Sequence, residues 1–137
     1  MRIETRLLED ELYQSANEAG HEVLIDMRPA TEKQHQSPVE LLLSALAGCA
    51  AVDIVAILRK RRKNFHGLTI ITDGHRNATP PRYFKTIHCT FTVYSTEVTT
   101  DELQKAAHLS LEKYCSVASS LKSEITFSVM VEPPTRE

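Results

Sequence analysis

Three cysteines, Cys49, Cys89 and Cys115, are the residues of this 137-residue chain best suited to covalent chemistry. As thiolates they would act as nucleophiles and cycle through sulfenic acid and disulfide. Their spacing narrows the options. No CxxC pair occurs, which excludes a zinc ribbon or a CxxC redox centre. The six histidines, His21, His35, His66, His75, His88 and His108, form no HExxH or HxxEH arrangement. No metal site and no cofactor is therefore expected.

The cysteines differ in their surroundings. Cys49 falls midway along the most apolar segment of the chain, where a buried cysteine commonly serves as a small hydrophobe. Asp53 follows one helical turn later, and a carboxylate there would raise the thiol pKa. The start of the helix is three turns away, beyond the reach of its dipole. Cys115 sits beside Tyr114 and Ser116 at an expected helix junction, where free backbone N–H groups can stabilise a thiolate. Cys89 lies between Ile87 and Phe91 on the apolar face of a strand and reads as core. His88, on the opposite face, reads as solvated. Asp53 requires a partner or a polar pocket, as a structural carboxylate or as part of a site.

The elements that must position these residues follow from pattern and punctuation. Residues 2–8, 11–16 and 22–27 read as strands, with turns at Glu9-Asp10 and at Asn17-Glu18-Ala19-Gly20. Residues 28–36 read as a polar loop. Ser37, Pro38 and Glu40 are an N-cap, a favoured first helical residue and the partner of a capping box, so a helix opens there and runs to about Lys63. Residues 68–73 and 84–94 are strands, the second with Ile87, Cys89, Phe91 and Val93 on one face. Thr99 to Glu102 make a second capping box for a helix over roughly 100–114, with Leu103, Ala106, Ala107, Ser110 and Tyr114 on one face. A short helix to Leu121 and a strand over 124–131 complete the order βββ-α-ββ-αα-β, an α+β fold in one domain spanning 1–137.

Composition sets the outer limits. Hydrophobic residues make up 42% of the chain and charged residues 25%, as in ordinary globular domains. Net charge is −2, so no nucleic-acid footprint is expected despite the run Arg59-Lys60-Arg61-Arg62-Lys63. The N-terminus lacks the apolar region of a secretory leader, and a reducing cytoplasm is the expected location. Leu41 to Leu58 approaches the length of a membrane span. Asp53 would cost roughly 2.5–3.5 kcal/mol at a bilayer centre, so a helix covered by protein on every side is expected, and no membrane partner.

The segment Ser37-Pro38-Val39-Glu40-Leu41-Leu42-Leu43-Ser44-Ala45-Leu46-Ala47-Gly48-Cys49 resembles the central-helix motif of the OsmC/Ohr family, the osmotically induced and organic hydroperoxide resistance proteins. Its continuation to Lys60, and Lys113-Tyr114-Cys115-Ser116-Val117-Ala118, are similar to the YhfA-like branch. The resemblance implies an OsmC-like fold and an intertwined homodimer whose central helices are buried between subunits. It implies a thiol peroxidase in which Cys49 attacks an organic hydroperoxide and Cys115 resolves the sulfenic acid as a disulfide, reduced in turn by an external dithiol.

Two positions depart from the family pattern. Peroxidases of the family carry a glutamate directly after the helix-opening proline, where this chain has Val39. They also use an arginine in the first hairpin turn. That turn here is Leu8-Glu9-Asp10, and Arg6 and Arg28 are the neighbouring cations. The paired cysteines favour the peroxidase. The departures favour the alternative, a small-hydrophobe binder or redox sensor on the same dimer scaffold.

Overall fold

The structure, a computed structural model, describes residues 1–134. The order of elements is the βββ-α-ββ-αα-β of an α+β protein, as the patterning predicts. The described residues gather into two compact units, Met1–Leu42 and the residues from Leu43 onward.

The first unit is an antiparallel sheet of β1 (Ile3–Glu9), β2 (Leu12–Asn17) and β3 (Glu22–Asp26), in that order. Glu11, at φ 61°, reverses the chain between β1 and β2. Gly20 does so between β2 and β3 at φ 86°, a conformation that costs glycine little. Side chains tie the exposed face together. Arg6 donates to Gln14 Oε1 through Nε at 3.1 Å and Nη2 at 2.7 Å, and Gln14 Nε2 donates to Glu22 Oε2 at 2.6 Å.

The segment after β3 is far from a plain polar loop. Asp26 is fully buried and gathers five donors. Its Oδ1 accepts from the backbone N–H and Nε of Arg28, both at 3.0 Å. Its Oδ2 accepts from Arg28 Nη2 at 2.7 Å, Gln34 N–H at 2.9 Å and His35 N–H at 3.2 Å. The Arg28 guanidinium above all, then these backbone donors, hold the carboxyl far below its ordinary value of 3.8 despite burial. A buried carboxylate survives only when its charge and lone pairs are met in this way.

The lowered value has a consequence for acid stability. In the unfolded chain Asp26 takes up a proton near 3.8, while in the folded chain it stays ionised. The unfolded state then binds more protons, so the contribution is complete above about pH 5 and shrinks as pH falls. Asp26→Asn is expected to be less stable than the parent at neutral pH. It should also lose less further stability between about pH 6 and pH 3. Urea midpoints across that range check both expectations; parallel curves for the two proteins would contradict them.

The central helix, α1 (Pro38–Lys60), opens within the first unit on the expected capping box. Glu40 N–H donates to Ser37 Oγ at 3.3 Å, and Ser37 N–H donates to Glu40 Oε1 at 3.0 Å.

In the second unit β4 (Gly67–Arg76), β5 (Phe84–Tyr94) and β6 (Glu124–Glu132) form a sheet in that order. β4 and β5 pair antiparallel, and β5 and β6 pair parallel. A parallel pair needs a crossover, here α2 (Thr100–Leu109), a single π-helical turn (Ser110–Tyr114) and α3 (Ser116–Ser120). The core draws on Leu46, Ala50, Ile54 and Leu58 of α1, Ile87, Cys89, Phe91 and Val93 of β5, and Leu103, Ala106 and Ala107 of α2.

Within the single chain only one stripe of α1 is covered; Ala45, Gly48, Val52 and Ala56 are exposed, Val52 at 69%. Two expectations require correction. At the start of α2, Thr99 Oγ1 accepts from Glu102 N–H at 3.1 Å, but the Glu102 carboxylate turns to Lys63 Nζ at 3.4 Å instead of closing the box. The second concerns residues 110–118. A continuous α-helix would carry the buried stripe from Ser110 to Tyr114 and Val117. The π-turn adds one residue, with Cys115 N–H donating to Ser110 C=O at 2.7 Å. The stripe moves on to Cys115 and Ala118, and Tyr114 turns outward.

Candidate functional site

Cys49 is half-buried on α1, one residue before Ala50 of the buried stripe. The π-turn brings Cys115 inside, where it is 1% exposed, and the Cys49 thiol lies close enough to act on its titration. Two cysteines 66 positions apart in sequence are thus adjacent in space. All three cysteines are free thiols.

Cys115 is the N-cap of α3, and its sulfur accepts from Ala118 N–H at 3.4 Å. The junction donor expected from sequence is present and acts to lower the pKa, but it does not prevail. Burial pushes the thiol above its ordinary 9.0, outweighing the Ala118 N–H, and the adjacent Cys49 adds to the rise. Cys89 is fully buried on β5, as its strand position predicts. Burial first, then the proximity of Cys115, pushes its thiol up to about 11.

Asp53 has the partner that its setting demands. Ser110 is fully buried, and its hydroxyl is shared between Asp53 Oδ2 and the Ala50 carbonyl, each at 3.2 Å. Asp53 also borders a hollow of about 280 Å³ with Ala56, Ile57, Lys60 and Tyr114. Around the helix from it, Ala51, Val52, Val55, Ala56 and Arg59 line a second, apolar hollow of about 460 Å³.

The other candidates are engaged elsewhere. Arg6 is held by Gln14, and Arg28 by Asp26. His88 is not simply solvated: Nδ1 lies 2.7 Å from Thr126 Oγ1 and Nε2 lies 3.0 Å from Ser128 Oγ, hydroxyls of the adjacent β6. Among the described residues no three His, Cys, Asp or Glu side chains gather as they would around a metal ion.

Sequence reasoning missed Asp26 and the role of Ser110. For Ser110 a signal existed, a hydroxyl on the apolar face of a helix. For Asp26 the only hint was an acid closing a strand two residues before an arginine.

The arrangement suits thiol redox chemistry, with one partly accessible sulfur close to one buried sulfur. Known proteins share its framework. The family model described as OsmC-like protein matches residues 31–130. Protein YhfA of Escherichia coli (strain K12) is 30% identical over 128 residues, covering 93% of this chain and 94% of YhfA. Two solved structures show the same fold at lower identity. An OsmC-like protein from Mycoplasma pneumoniae is 20% identical with a TM-score of 0.81, covering 96% of each chain. An organic hydroperoxide resistance protein from Legionella pneumophila is 13% identical with a TM-score of 0.64, covering 96% of this chain and 97% of its own. With that model spanning most of its length and YhfA aligned almost end to end, the chain belongs to the OsmC family.

Proposed function

We propose that this protein is a cysteine-based thiol peroxidase for organic hydroperoxides, working as a homodimer in a reducing cytoplasm. The observation that carries the reading is the proximity of a half-buried Cys49 to a buried Cys115. The Cys49 thiolate attacks the peroxide O–O bond, taking one oxygen as sulfenic acid and releasing the alcohol once a proton is supplied. The Cys115 thiol then displaces water from the sulfenic sulfur and forms the disulfide. An external dithiol returns both sulfurs to thiols by exchange and leaves as its own disulfide. The apolar helix that carries Cys49 suits an alkyl group.

Turnover of t-butyl hydroperoxide with dithiothreitol as reductant tests the reading. Consumption well above the protein-free rate, and faster than with hydrogen peroxide, is expected. No consumption above the blank would reject it. The exposed apolar hollow at Val52 and Val55, together with Val39 in place of the family's glutamate, favours a second reading. On that reading the same surface binds a small hydrophobic ligand and the cysteines sense redox state.

A further inference from the structure

We infer that Ser110 and Asp53 form a latch that holds Cys115 against Cys49, making both positioning residues for disulfide closure. The inference rests on the assignment of these two cysteines as a redox pair.

The geometry is a closed circuit. Cys49, Ala50 and Asp53 occupy successive positions along one turn of α1. The Ser110 hydroxyl reaches across to that turn, meeting the Ala50 carbonyl and Asp53 Oδ2, each at 3.2 Å. The Ser110 carbonyl accepts the Cys115 N–H at 2.7 Å, the bond that closes the π-turn. The Cys115 sulfur returns to Cys49. The latch and the two sulfurs therefore fasten the same helix turn at neighbouring points.

The π-turn makes this fastening matter. In an α-helical register the inward position after Ser110 belongs to Tyr114, and Cys115 would rotate off the buried stripe. An isolated π-turn is an unfavourable backbone state and needs local compensation. A fully buried serine hydroxyl facing a carboxylate supplies it, because a charge-assisted bond is stronger than a neutral one. It also explains why a carboxylate stands on an otherwise apolar helix: Asp53 fixes the crossover that delivers the second sulfur.

Disulfide closure joins two thiols only when their Cα atoms lie about 4.4–6.8 Å apart with suitable Cβ directions. A latch that keeps Cys115 near Cys49 raises the effective concentration of one thiol near the other. Without it the reduced pair is freer, and closure costs more conformational entropy.

The test equilibrates the full-length protein in buffers of reduced and oxidised glutathione and measures the Cys49–Cys115 disulfide by mass mapping. Each closure oxidises two thiols and reduces one glutathione disulfide to two glutathione thiols, so an equilibrium constant follows without any peroxide. Ser110→Ala is expected to lower that constant about tenfold, equivalent to a rise of about 30 mV in reduction potential. Asp53→Ala should lower it about fivefold, less than Ser110→Ala, since the Ala50 carbonyl still accepts the hydroxyl. Asp53→Asn keeps an oxygen acceptor and should restore the parent value to within about threefold.

A purely structural role would shift melting temperatures and leave the constant alone. Should Ser110→Ala fail to fold, the half-buried Asp53 pair carries the comparison. Constants for Ser110→Ala and Asp53→Ala within twofold of the parent would overturn the latch, as would a parent that forms no Cys49–Cys115 disulfide in oxidising glutathione. A latch-dependent constant in a protein whose thiols ignore hydroperoxide would reject the peroxidase reading and leave the latch standing.

Discussion

Cys49→Ser is expected to lower the consumption of t-butyl hydroperoxide with dithiothreitol by at least ~10³-fold, to the protein-free rate. A serine hydroxyl is not ionised near neutral pH and has no peroxide chemistry of its own, so no other side chain replaces the nucleophile. Cys115 is buried with its thiol pushed above 9.0, and Cys89 is pushed to about 11, so neither substitutes as the attacking thiolate. Cys115→Ser should behave differently. It should react once with peroxide, stop at a sulfenic acid that dimedone traps, and over-oxidise with excess peroxide. In the parent, closure should quicken as pH rises, because Cys115 attacks as a thiolate and its burial keeps it protonated at neutral pH. Stopped peroxide assays with mass analysis separate these outcomes. Cys49→Ser turning over at the parent rate would remove Cys49 from its assigned role.

Val52→Asp is expected to convert a dimer into a dissociated, weakly stable chain. Val52 is 69% exposed at the centre of a helix whose composition is apolar on all sides. One stripe of that helix is buried by its own chain, while Ala45, Gly48, Val52 and Ala56 face outward. A second copy would cover this face, and an unpaired carboxylate placed there costs several kcal/mol. Light scattering at micromolar concentration should give the parent at twice 15.4 kDa and the variant at 15.4 kDa with a lowered melting temperature. A parent that scatters as a 15.4 kDa monomer, or a variant with unchanged mass, would contradict the dimer.

The elements were legible because their signals are local. The Ser37–Glu40 box, the alternation from Ile87 to Val93 and the turn at Asn17–Gly20 each act over a few residues, and each reappears in the structure. The apolar length of α1 was equally plain. What was not legible depends on partners remote in sequence. Glu102 satisfied the spacing of a capping box, but Lys63 offered its carboxylate a charged partner. Asp26 lies near the end of a strand with no local mark of burial, and Arg28, Gln34 and His35 fold back around it.

The candidate site divides in the same way. Both cysteines stood out by type and context, but their proximity depends on one extra residue in the turn at 110–114. No propensity or periodicity marks that insertion. It is fixed by a hydroxyl bond between Ser110 and residues 57 and 60 positions earlier.

Hydroperoxide should oxidise one specific pair of sulfurs. Peptide mapping of the parent protein after one equivalent of cumene hydroperoxide reads out that pair. An intramolecular Cys49–Cys115 disulfide is expected, with Cys89 recovered as a free thiol. Three intact thiols after prolonged exposure, or a bridge that includes Cys89, would contradict it.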